Sequence, residues 1–408
     1  MEEVDILILG AGITGLSTAF RLEELGKNNY QIIDKESEIG GMIRDVKGQT
    51  GTIYSTSGHF LHFKNPKNKA FFEKIHSLIS KQRNSGILLG NEVVDQPFQT
   101  NFLSLTNEQL RTSLLSDFMN AEQSNDGKYQ NLEEMLLKRY GRSMCETFLF
   151  PYNRKLYGDL TKLSVDSMGR FFPNTTTKDI DAAGAKQTGY NSTMYHPNNK
   201  KFSSILQNLD MQWHKISLNN EITNINLEQR LVTTNKDVYH YRNLVSTIPL
   251  KTFLYLIGDK EKADKLQASS LTVFNMQIAT SQSPLSSRDW LYIPSDKYPF
   301  FRVGSYSNIL QKEFFEQRIY VECPDKTKKE DVVAGLKDIG IIKVDKDIYD
   351  CVEIRLEDAY NLITPESEKI VRELSYPKVF FAGRYGRWGY GGVEDNFEDG
   401  LKTAEMIK

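Results

Sequence analysis

The sequence predicts an α/β fold with three parts: a domain built on a parallel sheet, an inserted domain that is mainly helical, and a domain built on an antiparallel sheet. The aliphatic run Val4 to Leu9 is followed by a glycine-rich turn and then by apolar residues at helical spacing, the pattern of a buried parallel strand that leads into a helix. Helical periodicity dominates from Leu105 to Phe150. Between Leu271 and Ser307 polar and apolar residues alternate and aromatic residues are frequent, as in antiparallel strands.

The composition is that of a globular protein with more than one domain. The chain has 408 residues, 39% hydrophobic and 25% charged, and a formal net charge of -2. This charge balance argues against a nucleic-acid partner and against a polybasic membrane tether. Cys145, Cys323 and Cys351 form no CxxC pair and the six histidines form no HExxH motif, so we expect neither a disulfide framework nor a metal site. No apolar run is long enough to span a membrane, and we expect a cytoplasmic protein.

Local patterns predict the elements in order. Leu16 to Leu25 predicts the first helix, with Gly26 as its C-cap, and Tyr30 to Ile33 predicts a second strand that ends at Asp34. Pro151 predicts the end of a helix over Leu132 to Phe150. The other expected elements are a helix from Asn65 to Leu89, strand-like sequence from Glu92 to Phe102, a helix from Leu105 to Tyr140 interrupted at Gln123 to Gln130, a helix from Phe202 to Leu209, strands as far as Leu244, a strand from Val379 to Ala382 and a helix from Glu398 to Ile407.

The glycines after the first strand give the strongest functional signal. Gly10 permits a tight turn from strand to helix, Gly12 lets a pyrophosphate approach the backbone, and Gly15 lets helix and strand pack closely. The phosphates would lie at the positive end of the helix that begins near Ile13. Asp34 follows Gly15 by 19 residues, about where a carboxylate accepts hydrogen bonds from a ribose. This order of features predicts a Rossmann-like dinucleotide-binding domain.

Further segments favour FAD over NAD as the dinucleotide. Gly40 and Gly41 let the backbone pass close to a second phosphate and Arg44 adds positive charge there, as in the two-glycine extension of amine-oxidase and glutathione-reductase flavoproteins. Asn243 to Pro249 and Val379 to Arg384 resemble the strands by which such proteins return to an FAD-binding domain. The predicted cofactor contacts are Gly10, Gly12, Gly15, Asp34, Lys35, Gly40, Gly41, Arg44, Gly383 and Arg384.

Five segments, spread over nearly the whole chain, carry a closer resemblance. They are Gln96 to Asn101, Phe150 to Tyr157, Trp290 to Asn308, Tyr360 to Pro365, and the closing segment Gly383 to Tyr390 followed by Glu394 to Phe397 and Gly400. In this order they are similar to segments of the UDP-galactopyranose mutases, above all of their eukaryotic-type branch, a family within the amine-oxidase-like FAD-binding superfamily.

The resemblance implies a flavin-dependent mutase that interconverts the pyranose and furanose forms of a nucleotide-diphosphate sugar, in the biosynthesis of cell-surface polysaccharides. In that family N5 of reduced FAD attacks the anomeric carbon, and the resulting N5–sugar adduct lets the ring open and reclose without net redox change. The protein then has to hold the flavin, retain the departing diphosphate and exclude water. The implied partners are the nucleotide sugar and a reductant, NAD(P)H or another, and the sequence leaves the oligomeric state open.

The resemblance also implies roles for particular side chains. Arg302 and Arg170 match two arginines that clamp the diphosphate, a task that suits a guanidinium because it makes bidentate phosphate contacts and stays charged. Arg170 fits a structural ion pair equally well. Tyr292, Tyr360 and Tyr390 match tyrosines that line the sugar and phosphate pocket.

Other matches lie beside the flavin and at the nucleotide end of the pocket. His59 matches a histidine beside the flavin ring, and His62 is a neighbouring alternative. Two positions depart from the family, which usually has an aromatic residue in place of Gln96 and tryptophan in place of Tyr157. These departures leave the nucleotide and the sugar open. The expected substrate contacts are Phe98, Gln99, Asn153, Tyr157 and Asn308.

Two other functional hypotheses share the FAD motifs. An amine-oxidase-like or protoporphyrinogen-oxidase-like oxidoreductase would transfer hydride to the flavin and does not require Arg302 in an aromatic strand. A flavin-binding protein without catalysis would have lost pocket residues, and only the two departures favour it.

The expected domains interleave along the chain. Residues 1–63, 203–250 and 375–408 are expected to form a discontinuous FAD-binding domain, and residues 64–170 the mainly helical domain. Residues 171–202 and 251–374 are expected to form the antiparallel substrate domain.

Overall fold

The structure, a computed structural model, describes residues 1–165, 172–181, 192–198, 201–310 and 316–408. Two seven-stranded sheets form its framework. The strands are β1 Glu2–Leu9, β2 Tyr30–Ile33, β3 Asp45–Lys47, β4 Ile53–Ser55, β5 Leu78–Gln82, β6 Ser85–Leu89, β7 Glu92–Asp95, β8 Thr193–Pro197, β9 Ile216–Ser217, β10 Ile222–Asn226, β11 Leu231–Thr234, β12 Val238–Ser246, β13 Gln267–Ala279, β14 Trp290–Tyr292, β15 Arg302–Ser305, β16 Glu316–Pro324, β17 Ile348–Leu362 and β18 Val379–Phe381.

Helices cover both sheets and form a separate cluster after β7. The α-helices are α1 Ile13–Glu24, α2 Pro66–Ile75, α3 Phe98–Asn101, α4 Glu108–Ser124, α5 Leu132–Tyr140, α6 Arg142–Met144, α7 Phe150–Tyr157, α8 Thr177–Asp181, α9 Ser204–Gln207, α10 Leu250–Leu256, α11 Lys260–Lys265, α12 Tyr306–Ile309, α13 Lys329–Asp338, α14 Pro365–Glu373, α15 Gly383–Gly386 and α16 Val393–Met406. Among the residues that the structure describes, no helix is long and apolar enough to cross a membrane.

The first sheet is mainly parallel, as the glycine-rich turn predicts. Its strand order is β10-β11-β12-β1-β2-β9, with β18 beside β12. β1 runs parallel to β12 and β2, and β18 runs parallel to β12. The carboxyl ends of β1, β2, β12 and β18 lead into Gly10, Asp34, Thr247 and Ala382. In parallel sheets this edge is where ligands bind.

The second sheet has the strand order β17-β13-β16-β15-β14-β6-β7 and is antiparallel except between β14 and β6. The strands over Leu271 to Ser307 therefore form as predicted, and the α/β fold class is confirmed. β6 and β7 come from within residues 64–170, the range expected to be mainly helical. The proposed domain bounds stay a prediction.

The helix expected from Asn65 to Leu89 ends early, at Ile75, and that part of the prediction is wrong. β5 and β6 follow, paired with β8 and β14 respectively. The partner strands come from far along the chain, so local periodicity carries no information about this pairing, which overrides helix propensity.

The helix expected over Leu132 to Phe150 instead ends at Tyr140, and a second helical run that starts at Arg142 continues past Pro151 to Tyr157, so that prediction is also wrong. A π-helical turn over Cys145–Leu149 comes directly before α7. Proline lacks an N–H for the regular ladder, and an irregular turn is one way in which a helix accommodates it. α7 carries Tyr152 and Tyr157 to the second sheet, where the Tyr152 ring lies 5.1 Å from that of Tyr292.

Candidate functional site

The turn after β1 has the geometry of a phosphate-binding turn. Gly10 has a φ of 105° and its N–H donates to the Ile33 carbonyl at 2.8 Å. A Cβ on Gly15 would lie 2.0 Å from the Gly10 carbonyl oxygen, so only glycine lets α1 pack this closely. A Cβ on Gly12 would meet no atom within 4 Å. The backbone at the start of α1 is therefore open to a phosphate.

Asp34 lies directly after β2, as predicted, and is tied to the same turn. Its Oδ2 accepts a hydrogen bond from the Ala11 N–H at 2.6 Å and its Oδ1 one from the Glu36 N–H at 2.9 Å. Burial raises the pKa of this carboxyl, and the two N–H donors oppose the shift. Each oxygen can accept more than one hydrogen bond, so Asp34 retains capacity for a ribose hydroxyl. Lys35 is exposed and makes no hydrogen bond to a described residue.

The second pair of glycines packs on the first turn. Gly40 forms a β-bridge with Gly12, and its N–H donates to the Ala11 carbonyl at 2.9 Å. A Cβ on Gly41 would lie 3.5 Å from the Gly12 Cα. Arg44 Nη1 donates to the Gly41 carbonyl at 3.1 Å. These contacts hold a positive charge next to the open backbone at Gly12.

The C-terminal segment reaches the same place. Gly383 follows β18, and a Cβ on it would lie 2.5 Å from Oγ1 of Thr14 on α1. Arg384 Nη2 donates to the Ala359 carbonyl at 3.0 Å, whereas its Nε is buried and has no hydrogen-bond partner in the described part of the chain. Buried polar groups normally have a partner, so this N–H indicates a group that the chain itself does not supply.

These residues fit a dinucleotide cofactor. They combine an open helix N-terminus at Gly12, an acid with spare acceptor capacity at Asp34 and guanidinium groups at Arg44 and Arg384. The structure thus brings together the predicted cofactor residues. Lys35 makes no hydrogen bond to a described residue, but its charge acts on Asp34 and favours the ionised carboxylate.

His59 and His62 lie in different electrostatic surroundings. Burial lowers the pKa of each imidazole to about 4. The charges that act on His59 are Glu322, Arg384 and Arg302, whereas those on His62 are Arg83 and Lys64. The His59 Nδ1 atom is buried and makes no hydrogen bond within the described residues. Of the two histidines, His59 therefore belongs with Arg302 and Arg384.

Arg302 lies in a row of side chains that crosses the second sheet. Tyr292 on β14 pairs with Arg302 on β15, which pairs with Glu322 on β16. Directly paired residues project from the same face of a sheet, so these three side chains share a face. Ser57, two residues before His59, donates its hydroxyl to Glu322, which links the His59 loop to this row.

Arg302 and Glu322 form a buried bidentate ion pair. Arg302 Nε and Nη2 both donate to the Glu322 carboxylate, the second at 2.7 Å, and the Glu322 side chain is 1% exposed. Burial by itself would lower the pKa of the Arg302 guanidinium, but Glu322 acts together with Tyr320, Tyr360 and Tyr152 to hold that pKa well above its usual value. Arg302 Nη1 makes no hydrogen bond to a described residue. The edge of the guanidinium formed by Nε and Nη2 is thus fixed, and the N–H groups of Nη1 are available to donate hydrogen bonds to a ligand.

Tyrosines surround this row and form a recess. The Tyr152 ring lies 5.1 Å from Tyr292, and the Tyr157 ring lies 5.6 Å from Tyr360 and 6.4 Å from Tyr390. Burial raises the pKa of Tyr152 and Tyr157 well above the usual range, yet all five side chains remain only half-buried. They therefore line a space inside the protein.

Most of these hydroxyls have no hydrogen-bond partner in the described part of the chain. Tyr390 donates to the Asn361 carbonyl. The hydroxyls of Tyr152, Tyr157, Tyr292 and Tyr360 make no hydrogen bond to any described residue. Four such hydroxyls near Arg302 form a hydrogen-bonding surface suited to a polar, anionic ligand.

The other predicted substrate residues take part in packing. Phe98 is fully buried, with its ring 5.4 Å from that of Phe148, and Gln99 is buried beside it in α3. Asn153 Nδ2 donates to the Leu149 carbonyl at 2.7 Å. Asn308 Nδ2 donates to three carbonyls of the segment before β14, those of Leu285, Ser286 and Arg288. Their contact with a ligand stays a prediction.

Arg170, the second predicted arginine of the diphosphate clamp, lies outside the described residues. Sequence reasoning missed two residues that the structure places in the recess, Glu322 and Tyr152. Tyr152 could have been found, because it lies within the segment Phe150 to Tyr157 that carries the resemblance. Glu322 has no local signal, since its role depends on the pairing of β15 with β16.

Comparisons with known proteins agree with this fold. Residues 8–75 match a family described as an NAD(P)-binding Rossmann-like domain. A solved structure of reduced UDP-galactopyranose mutase superposes with a TM-score of 0.91 at 23% identity, covering 99% of this chain and 93% of that chain. A candidate protoporphyrinogen oxidase from Exiguobacterium sp. 255-15 superposes with a TM-score of 0.74 at 16% identity, covering 100% of this chain and 98% of that chain. A double mutant of putrescine oxidase with a redesigned cofactor site superposes with a TM-score of 0.69 at 11% identity, covering 100% of this chain and 99% of that chain.

The fold and the glycine-rich site define a Rossmann-type protein with an inserted helical region and a second, largely antiparallel sheet. More narrowly, the fold is that of UDP-galactopyranose mutase over almost the whole chain, and the two oxidases are similar to it at lower scores. The resemblance inferred from the sequence is thus confirmed at the level of the fold.

Proposed function

We propose that this protein is an FAD-dependent mutase that interconverts the pyranose and furanose forms of a nucleotide-diphosphate sugar. The observation that carries the proposal is a set of polar groups around one recess that have no hydrogen-bond partner among the described residues. It comprises the hydroxyls of Tyr152, Tyr157, Tyr292 and Tyr360, Nη1 of Arg302 and Nε of Arg384. The mutase fold over 99% of the chain supports the same function.

FAD is the cofactor that suits the glycine-rich edge. Gly12 leaves space for a pyrophosphate, Asp34 can accept from a ribose, and Arg44 and Arg384 offer positive charge toward the phosphates and the flavin. When bound and reduced, FAD supplies a nucleophilic nitrogen for the anomeric carbon of the sugar.

The chain itself has to bind and hold the diphosphate. Glu322 fixes one edge of Arg302, so the guanidinium is preorganised and its outer N–H groups can reach a phosphate oxygen. The tyrosine hydroxyls can hold the remaining oxygens of the diphosphate and the sugar. Retention of the leaving group lets it return to the same carbon, which makes recombination effectively unimolecular.

His59 would remain neutral throughout the physiological pH range, because burial lowers its pKa to about 4. A neutral imidazole can donate or accept a hydrogen bond without adding charge beside Arg302 and Arg384. We infer that His59, whose buried Nδ1 makes no hydrogen bond within the described residues, would contact the flavin when FAD is bound.

The experiment is to incubate dithionite-reduced holoprotein with a panel of nucleotide sugars, including UDP-galactopyranose, and to separate furanose from pyranose products. We expect isomerised sugar from the reduced protein and none from the oxidised protein. The solved oxidases of similar fold motivate the alternative, an FAD oxidoreductase. Reduction of the flavin by the substrate, with hydrogen peroxide formed in air and no isomerised sugar, would establish that alternative instead.

A further inference from the structure

We propose that Lys155 is a positioning residue whose ammonium group fastens the loop between β14 and β15 to α7 and so sets the spacing of two walls of the recess. The inference deepens the proposed function and rests on it, because ligand affinity is one of its readouts. The loop geometry provides a second readout that does not depend on the ligand.

The Lys155 ammonium lies in a cage of backbone carbonyls. Its Nζ is 3.3 Å from the carbonyl oxygen of Ile293, 3.1 Å from that of Tyr298 and 3.2 Å from that of Phe300, and it also donates to the carbonyl of Ser295. Within the described residues no carboxylate lies within 4.0 Å of it. An ammonium has three N–H donors, so these carbonyls account for its full capacity.

The caged loop connects two residues of the site. It begins directly after Tyr292 and ends directly before Arg302. These two residues form one wall of the recess. Because the loop spans only residues 293–301, a displacement of its carbonyls would move the ends of β14 and β15.

Lys155 itself belongs to the opposite wall. Tyr152 precedes it by one turn on α7 and Tyr157 follows it two residues later. The Tyr152 ring contacts both ends of the loop, 5.1 Å from Tyr292 and 6.1 Å from Phe301. The ammonium therefore connects two parts of the recess. One is α7, which carries the hydroxyls of Tyr152 and Tyr157, and the other is the loop between Tyr292 and Arg302.

Loss of the ammonium would leave several loop carbonyls without a donor. Buried backbone carbonyls without a partner cost free energy, and the loop would relax toward solvent. The neighbouring Arg154 provides a matched comparison, because it is exposed and pairs with Glu133 at 2.9 Å, away from the loop. Both residues are cations on the same helix, but only Lys155 contacts the loop.

The test compares Lys155→Met with Arg154→Met in the FAD-loaded protein. We expect Lys155→Met to weaken UDP binding by about tenfold or more, because a set of charge-assisted hydrogen bonds is lost. The amount of bound FAD should stay unchanged. Amide hydrogen exchange in residues 293–300 should become faster in this variant only. Arg154→Met should bind UDP within about twofold of the unchanged protein, since exposed ion pairs contribute little.

Chemical rescue separates the charge from the volume of the side chain. Lys155→Ala removes the equivalent of n-propylammonium, so adding that ion should restore part of the UDP affinity, whereas n-propanol at the same concentration should not. Unchanged UDP affinity and unchanged loop exchange in Lys155→Met would overturn the inference, and so would equal rescue by n-propanol. If the unchanged protein failed to bind any nucleotide sugar, the proposed function would fail, and loop exchange alone would then decide the role of Lys155.

Discussion

The glycine-rich edge of the first sheet and the tyrosine-lined recess on the second sheet are built in different ways. At the glycine-rich edge the proposed binding surface is the backbone, and the decisive contacts are close approaches such as that of Gly15 to the Gly10 carbonyl. In the recess the proposed binding surface consists of side chains, and they come from α7, β14, β15, β16 and β17. The first region accommodates one kind of ligand group through steric constraint, whereas the second depends on charge and hydrogen bonds between distant segments.

The difference determines how each region responds to substitution. A side chain added in the glycine-rich edge would collide with backbone atoms that cannot move, so the effect of the substitution is steric. A change in the recess alters a network in which buried partners are left behind. Substitutions in the two regions should therefore differ in their effects on stability and on ligand binding.

The largest effect is expected in the recess, for Arg302→Ala. This variant leaves the buried Glu322 carboxylate unpaired, and breaking a buried pair costs about 3–5 kcal/mol of folding free energy. UDP binding should weaken as well. The free energy of unfolding from denaturant titration measures the first effect, and equilibrium titration with UDP measures the second.

The double variant Arg302→Ala/Glu322→Gln is the control for Arg302→Ala. It removes the buried charge together with its partner, so it should recover part of the stability without recovering UDP affinity. If the double variant were as unstable as the single one, the unpaired carboxylate would not be the cause of the destabilisation.

The next effect concerns two glycines in the glycine-rich edge. A Cβ at Gly15 would lie 2.0 Å from a backbone oxygen, so Gly15→Ala should destabilise the protein by about 1–3 kcal/mol or more. Gly12→Ala introduces the same methyl group into open space, so it should leave the apoprotein stable and weaken only FAD binding. Thermal unfolding of the apoprotein and FAD titration distinguish the two outcomes. Equal loss of stability in both variants would contradict the steric account.

A pH-dependent effect on stability is expected from two buried histidines, His59 at the recess and His62 outside it. His59 and His62 have a pKa near 4 in the folded protein against 6.5 for an ordinary histidine. Between these values the unfolded chain binds more protons, so the free energy of unfolding should fall as the pH is lowered from 6.5 toward 4. His59→Gln should flatten this dependence. An imidazole proton resonance of His59 that titrates near pH 6.5 would contradict the prediction.

The smallest effect compares two tyrosines of the recess. The Tyr390 hydroxyl donates to the Asn361 carbonyl, so Tyr390→Phe should cost about 0.5–1.5 kcal/mol of stability. The Tyr360 hydroxyl has no partner in the described part of the chain. Tyr360→Phe should therefore leave stability unchanged and weaken UDP binding. Denaturant titration and UDP titration of both variants measure this contrast.

The sequence predicts the glycine-rich edge better than the recess, for a physical reason. The turn requires particular residues within a window of a few positions, and Gly10, Gly12, Gly15 and Asp34 occupy the predicted places. The recess depends on strand pairing between distant segments, so Arg302 could be proposed only from the resemblance. Its partner Glu322, which decides whether Arg302 is rigid, could not be proposed at all.

The same reason explains the errors in secondary structure. Residues Leu78–Gln82 and Ser85–Leu89 have a sequence that is compatible with a helix, but β8 and β14 pair with them and make them strands. The continuation of the helix past Pro151 depends on a π-helical turn, Cys145–Leu149, that has no sequence signature of its own. Both errors arise where tertiary structure overrides local preference.

The most direct test of the account is the number of furanose sugars formed for each pair of electrons supplied. In the account, the glycine-rich edge holds the flavin and the recess holds a diphosphate, and the reaction has no net redox change. Anaerobic, pre-reduced holoprotein should then form many product molecules per electron pair, and the oxidised protein in air should form none. At most one product molecule per electron pair, with the flavin changing its oxidation state in step with the substrate, would contradict the account.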